Sequence, residues 1–315
     1  MTRSACDDTA CQATCDLHLH STNSDGLMSP EEVIERAGRA SLRVMSISDH
    51  SRTTYDSELE AMAAGYGVIL LPGIEISTMH HDRKYHVLGY GHGILDAELQ
   101  EFAFRPTAIK NEAYGRVLAG LRAAGTQLPA TEDILAGVQE DGPPLHPRKW
   151  MLSATLIGRY LARPLGVDPV QAAAVVKDRY NALKNSERDR YVPTGRAIAM
   201  VRNAGGIPVI AHPFWECHSG RNTWDGVVDD LRTFSAEGLA GVEVSSRHDS
   251  PADEDRRRET AHQLRLVPFR SSDFHGNGKT EVGQFPMPVE HLAEAAGRCG
   301  VDIPLHTSGK AEDSA

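Results

Sequence analysis

Histidines and carboxylates recur in this chain where short apolar runs stop. His18 and His20 close the run DLHLH at 16–20, and Asp25-Gly26 follow in the next loop. Ser48-Asp49-His50 closes a second run, and Glu75 sits in Gly73-Ile74-Glu75-Ile76-Ser77 at the end of a third. His86 lies in Tyr85-His86-Val87-Leu88-Gly89-Tyr90, His212 in Ala211-His212-Pro213, and Asp273 and His275 in Ser272-Asp273-Phe274-His275-Gly276. Alternate strand residues face the same way, so His18 and His20 point together as a metal-ligand pair would. Glu75 is flanked by isoleucines in a run that reads as buried on both faces, where a carboxylate is costly unless paired or metal-bound. Gathering nine such groups without a cation would cost many kcal/mol, and divalent metals offset that cost.

The runs themselves predict strands at 14–19, 43–48, 68–77, 85–90, 207–211, 241–244 and 267–272. Helical patterns lie between them. Ser29-Pro30-Glu31-Glu32 reads as a helix start, with Ser as N-cap, Pro in the first turn and acids at the positive dipole end. Further helices are expected over 194–204, ended by Gly205-Gly206, and over 251–264. Strands alternating with helices predict βαβ units and a parallel sheet. Seven strands suit a closed α/β barrel, whose sites form at the C-terminal strand ends; an open doubly wound sheet is the alternative.

Residues 101–192 break the rhythm, being helical in composition, and are read as an inserted cap. The expected organisation is an unstructured arm (1–13), a barrel built from 14–100 and 193–306, the cap (101–192) and an unstructured tail (307–315). A length of 315 residues fits one barrel with an insertion.

Charge narrows the partners. The net charge of −10 argues against a nucleic-acid coat protein. Yet the segment 106–192 carries 12 Lys and Arg against 9 Asp and Glu. A basic lid over an acidic, metal-filled rim attracts an anion. No apolar stretch is long enough to span a membrane. The opening MTRSACDDTACQATC lacks the apolar run of a secretory leader, so a cytoplasmic protein is the default expectation. Cys6, Cys11 and Cys15 fit no zinc-finger spacing and read as reduced thiols on the arm. His80 and His81 read as a solvated turn. Trp150, Trp215 and Trp224 could each stack a base or sugar, with packing the simpler reading for each.

In order, the motifs D-L-H-L-H-S-x3-D-G, S-D-H, G-x-E-x-S, H-x-L-G-Y, A-H-P and S-D-F-H-G resemble the PHP (polymerase and histidinol phosphatase) family over about residues 14–280. The similarity is greatest to its stand-alone phosphoesterases, which include nucleoside bisphosphate phosphatases and 5′→3′ RNases. The resemblance implies a distorted (β/α)7 barrel with two to three divalent metals (Mn, Fe or Zn) at the rim. It implies one metal on His18, His20, Glu75 and Asp273, a second on Asp25, His50 and His275, and a third on Glu75, His86 and His212. The family's phosphate-binding G-R-P-H has its nearest match in Gly158-Arg159-Tyr160-Leu161, which keeps the Arg and lacks the His.

The expected activity is hydrolysis of a small organic phosphate by a hydroxide bridging the metals. Arg159 is the first candidate phosphate contact, followed by Arg148, Lys149, Arg190 and Arg247. His212 or another rim histidine is the candidate general acid. Asp49 either orients a ligand histidine or caps a turn. The competing readings are an amidohydrolase-type C–N or C–O hydrolase, disfavoured by the lack of a rim lysine, a 5′→3′ exoribonuclease on short nucleic acid, and a non-catalytic metal-binding relative.

Overall fold

The computed structural model describes residues 13–137, 150–184, 192–218, 220 and 222–305. Its first half runs β1 (Thr14–Leu19), α1 (Pro30–Arg39), β2 (Val44–Ile47), α2 (Ser57–Gly65), β3 (Ile69–Leu70), β4 (Gly73–His80), β5 (Arg83–Tyr90), α3 (Ala97–Ala123) and α4 (Thr131–Ala136). Then come α5 (Ala154–Leu165), α6 (Pro169–Lys184), β6 (Val192–Pro193), α7 (Thr194–Asn203), β7 (Ile207–Ala211), α8 (Trp215–His218) and α9 (Trp224–Ala236). The last elements are β8 (Gly241–Ser245), α10 (Glu254–Gln263), β9 (Val267–Arg270), β10 (Met287–Pro288) and α11 (Val289–Cys299).

Local signals account for several elements. Ser29 caps α1 in a full capping box with Glu32, and Pro30 opens the helix. β1 has the expected bounds. The expected strand at 68–77 is instead two. β3 stays with β1 and β2, and the chain crosses at Leu71-Pro72 so that β4 joins the other sheet. Pro72 has no N–H to give a ladder, which makes it a natural break. A side chain at Gly73 would collide with Ser46, so only glycine permits this approach.

One sheet has the order β10-β1-β2-β3 and the other β6-β4-β5-β7-β8-β9. Among the described residues five of the eight strand pairs are parallel, in line with the expected parallel sheet; the exceptions are β10, which is antiparallel to β1, and β5. β5 pairs antiparallel with β4, from Gly73 opposite Tyr90 to His80 opposite Arg83, and antiparallel with β7. Only His81-Asp82 separate β4 from β5, too short for a crossover, so a hairpin is the only connection. Two isolated bridges, Leu19 with Phe274 and His50 with Glu75, link the ends of the two sheets.

Apolar layers lie between strands and helices. Ile74, Ile76, Val87, Ile210, Val242 and Val244 pack with residues of α7, α9 and α10, while Val33, Ile34 and Ala37 of α1 pack on Met45 and Ile47. Helices α3 to α6 hold a separate cluster around Leu118, Ile134, Leu156, Leu161 and Val176, with Tyr114 stacked on Tyr180 at 4.4 Å. The 27-residue α3 joins the two regions: Leu99, Phe102 and Ala103 belong to the strand core, and Tyr114 to Leu121 to the helical cluster.

Cys15 corrects an expectation. It is buried in β1, its thiol donating to the Met287 carbonyl at 3.4 Å, because β1 pairs with β10. Cys6 and Cys11 lie outside the described residues. Among the described residues no helix is long and apolar enough to cross a membrane.

Candidate metal centre

β1 and the loop after it, β4, β5 and the segments after β2, β7 and β9 bring all nine sequence-predicted residues to one place. Glu75 is at its middle and is 1% exposed. Its Oε2 lies 3.5 Å from His18 Nε2, 3.3 Å from His20 Nε2 and 3.0 Å from His50 Nδ1. Its Oε1 lies 2.6 Å from His86 Nδ1 and 3.6 Å from His212 Nε2. Asp273 Oδ1 closes one side, 3.4 Å from His18 Nε2 and 3.3 Å from His20 Nε2. Asp25 closes another, with Oδ1 3.4 Å from His275 Nε2 and 3.6 Å from His20 Nδ1, and Oδ2 3.7 Å from His50 Nε2. His18, His20, Glu75 and Asp273 are buried, and the other five are part-exposed, so the cluster opens to solvent on that side.

Two placements differ from the strand-end expectation. Glu75 is the third residue of β4, which continues to His80. His86 lies in mid-β5, reaching the centre because β5 runs antiparallel between β4 and β7, opposite Ser77 and Ala211. His212 and Asp273 adopt φ of 31° and 47°, a left-handed backbone that costs a non-glycine residue about 1–3 kcal/mol and persists where surroundings impose it.

These groups converge without satisfying one another. His20 Nδ1, His50 Nδ1, both Glu75 oxygens and both His86 nitrogens are buried and have no aligned hydrogen-bond partner among the described residues. His18 Nε2 and His20 Nε2 face each other at 3.1 Å. Buried donors and acceptors normally pair. Ligand atoms aimed at a shared point rather than at each other fit a cation, and mixed imidazole and carboxylate donors suit first-row divalent metals. Four triads of the nine meet within 4.8 Å: His18/Glu75/His212, His18/His20/Asp273, His20/His50/Glu75 and His20/Asp25/His275.

The electrostatics agree. Burial alone would raise Glu75, but the imidazoles of His50, His86 and His18 hold it well below the usual carboxylate range. Asp25 and Asp273 are likewise held low against burial, Asp25 chiefly by His50 and His275, Asp273 chiefly by His18. Burial pulls His20 down, yet the Asp273 and Glu75 carboxylates beside it raise it to about 10. His86 goes the other way, burial taking it down to about 3.

Around these ligands stand Arg247, already a candidate phosphate contact, and two residues that sequence reasoning missed, Glu243 and His248. Glu243 on β8 is buried; it bonds His18 Nδ1 at 2.9 Å, accepts from Ser271 Oγ, and accepts the His212 backbone N–H at 2.8 Å. Its signal was legible: like Glu75, it is a carboxylate inside an apolar strand. His248 Nε2 lies 2.8 Å from Asp273 Oδ2, and Arg247 Nε 2.7 Å from the same oxygen. With His212 and Asp273, His248 forms a fifth potential ligand triad.

Asp49 orients backbone and loop. It accepts from the Ser21 N–H at 2.8 Å, Ser21 Oγ at 2.5 Å, Ser24 Oγ and Thr54 Oγ1 at 2.6 Å. This folds the loop carrying Asp25 back onto the rim. Gly26 permits the fold, since a Cβ there would meet the His20 carbonyl.

Of the candidate phosphate contacts, Arg247 is brought to the centre. Arg159 is half-buried on α5 beside Tyr160, outside the hydrogen bonds and ion pairs of the centre among the described residues. Arg148, Lys149 and Arg190 lie outside the described residues. His80 ends β4, 3.5 Å from Asp230 and edge-on to Phe234, while His81 turns the hairpin at φ 53°.

The PHP domain matches residues 16–115. The chain is 30% identical over 286 residues to the 3′,5′-nucleoside bisphosphate phosphatase of Chromobacterium violaceum, covering 86% of this chain and 91% of that protein. It is 26% identical to the 5′-3′ exoribonuclease Rnm of Salmonella typhimurium, covering 86% of this chain and 88% of that protein. A crystal structure from Bifidobacterium adolescentis, described as a metal-dependent phosphoesterase, superposes with a TM-score of 0.68 at 26% identity, over 93% of this chain and 98% of that one. By the convergent histidines and carboxylates and by these likenesses, the chain belongs to the PHP domain family of metal-dependent phosphoesterases.

Proposed function

We propose that the chain hydrolyses a small organic phosphate (a nucleotide, cyclic, sugar or amino-alcohol phosphate) at a centre of two to three divalent cations. The observation that carries this reading is the set of buried ligand atoms around Glu75 that have no aligned hydrogen-bond partner among the described residues. In this reading His18, His20, Asp25, His50, Glu75, His86, His212, Asp273 and His275 are the ligands. When bound, such cations neutralise phosphoryl charge and lower the pKa of water they coordinate. Arg247, held on Asp273 at the part-exposed side, meets the phosphoryl oxygens, as a guanidinium is suited to do. His212 Nε2 turns toward Glu75, which supports reading it as a ligand in preference to the candidate general acid. We also read the two bridged sheets as one distorted (β/α)7 barrel, with residues 101–192 as its helical cap.

Glu243 is assigned a positioning role, fixing the tautomer of His18 and the backbone of His212. Glu243→Gln is expected to weaken metal affinity or turnover about 10- to 100-fold. Competition titration against a metal indicator checks this, and wild-type affinity with wild-type turnover would refute it.

The substrate class is tested by a phosphate-release screen with manganese. It compares nucleoside bisphosphates, cyclic phosphates, sugar phosphates, histidinol phosphate and short 5′-phosphorylated RNA. Release from small esters and its loss with chelator are expected. Cleavage of RNA alone would favour the exoribonuclease reading, and hydrolysis of amides or lactones alone the amidohydrolase reading. Inertness of the metal-loaded chain towards every ester would overturn the proposal.

A further inference from the structure

The three tryptophans have different environments. Trp150 spends its indole N–H on the His50 carbonyl at 2.9 Å and so braces the centre. Trp224 packs on Phe214 at 4.7 Å and lies beneath the Arg256 guanidinium at 3.8 Å. Trp215 is 38% exposed, although it opens α8 only three residues beyond His212. Its ring centre lies 6.4 Å from that of His212 and 5.0 Å from that of His248. Tyr66, the other large exposed aromatic among the described residues, borders a cavity with Ala13 and Thr14, at the opposite end of β1 from His18.

His248 and Arg247 connect Trp215 to the centre. Asp273 divides its oxygens, Oδ1 facing His18 and His20 and Oδ2 facing His248 and Arg247. His248 is therefore held at Nε2 and presents its ring to Trp215. Arg247 Nη1 is buried without a hydrogen-bond partner among the described residues. An anion-binding group thus adjoins an exposed indole supported by an imidazole. The buried Arg257 fixes this arrangement, its guanidinium holding the Val244 carbonyl at 2.5 Å and the Ser250 carbonyl at 2.7 Å across the loop that carries both residues.

We propose that Trp215, backed by His248, forms a stacking subsite for a planar heteroaromatic ring on the substrate, with the adjacent phosphate on Arg247. The inference rests on the phosphoesterase reading and narrows it to ring-bearing phosphates such as mononucleotides. Every base has a stackable face, so an indole platform selects for a ring without choosing its identity. The acidic net charge of −10 favours a single nucleotide over a long polyanion.

The test compares adenosine 5′-monophosphate with ribose 5-phosphate, which differ by the ring. Trp215→Ala is expected to raise KM for the nucleotide about tenfold more than for the sugar phosphate, with kcat little changed, and Trp215→Phe to restore most of that difference. A second readout needs no turnover. In metal-free protein, adenosine 5′-monophosphate is expected to quench the fluorescence difference between wild type and Trp215→Phe, and ribose 5-phosphate to leave it. Equal effects of Trp215→Ala on both compounds, or no effect on either, would overturn the subsite. If neither compound releases phosphate, quenching alone decides: quenching by the nucleotide upholds the subsite, and its absence rejects it. Failure of all esters in the metal-loaded screen would count against the phosphoesterase reading separately.

Discussion

Replacing Glu75 by glutamine is expected to abolish phosphate release, by about a thousandfold or more, and to strip metal from the purified chain. The size follows from geometry. Both Glu75 oxygens face imidazoles: His18, His20 and His50 on one, His86 and His212 on the other. An amide keeps the shape but removes the charge and turns one oxygen into a donor aimed at ligand nitrogens. Metal-ion stabilisation of a phosphoryl transition state is worth several kcal/mol, and each 1.36 kcal/mol is a factor of ten. Glu75 alone turns two oxygens toward five imidazoles, so the loss of a single histidine is expected to cost less. Elemental analysis of Glu75→Gln beside its kinetics decides the matter. A full metal complement with turnover near wild type would show that the convergence around Glu75 serves only the fold.

Removing the metals is expected to destabilise the chain, and by more at high pH than near neutrality. In the metal-free protein, His18 is held well above its ordinary value and His20 at about 10. Their stabilisation is complete below about pH 6.5, the unfolded value, and is lost as pH rises through the folded values. Glu75, Asp25 and Asp273 are held low, so their contribution is full above about pH 4 and is lost as pH falls through the folded values. His86, held down to about 3, favours the fold while neutral, and that contribution fades as pH drops from about 6.5 toward 3.

Metal-free stability should therefore peak at about pH 6–7. Metal binding needs neutral imidazoles, so its benefit grows with pH. At a metal concentration 100-fold above Kd, each independent site adds about 2.7 kcal/mol, which is about 5 °C in Tm. Thermal unfolding with manganese or with chelator, from about pH 6 to 9.5, should show the gap widening. A gap that stays flat or narrows would mean that these histidines do not bind the metal.

Much of this was legible along the chain. The start of α1 announced itself through Ser29, Pro30 and Glu32, and β1 through its apolar alternation. His18 and His20 followed from the two-residue strand repeat, and Glu75 from the expense of a carboxylate among isoleucines. The β4–β5 hairpin could have been read from the seven residues left between the expected strands 68–77 and 85–90, too few for a crossover helix, but the βαβ rhythm around it masked that signal. Glu243 carried the same signal as Glu75, a carboxylate within an apolar strand with a histidine five positions on, and was equally legible.

The amino-acid order alone determined which residues are costly to bury, and hence that a cation site was needed, because desolvation depends on residue type and local burial. Only the tertiary structure decided who meets whom. His18 finds Glu243 across 225 positions, and Asp273 finds Arg247 and His248 through the loop after β8. Those meetings depend on strand register and sheet order, which arise from packing of the whole chain and leave no periodic trace in any short stretch of it.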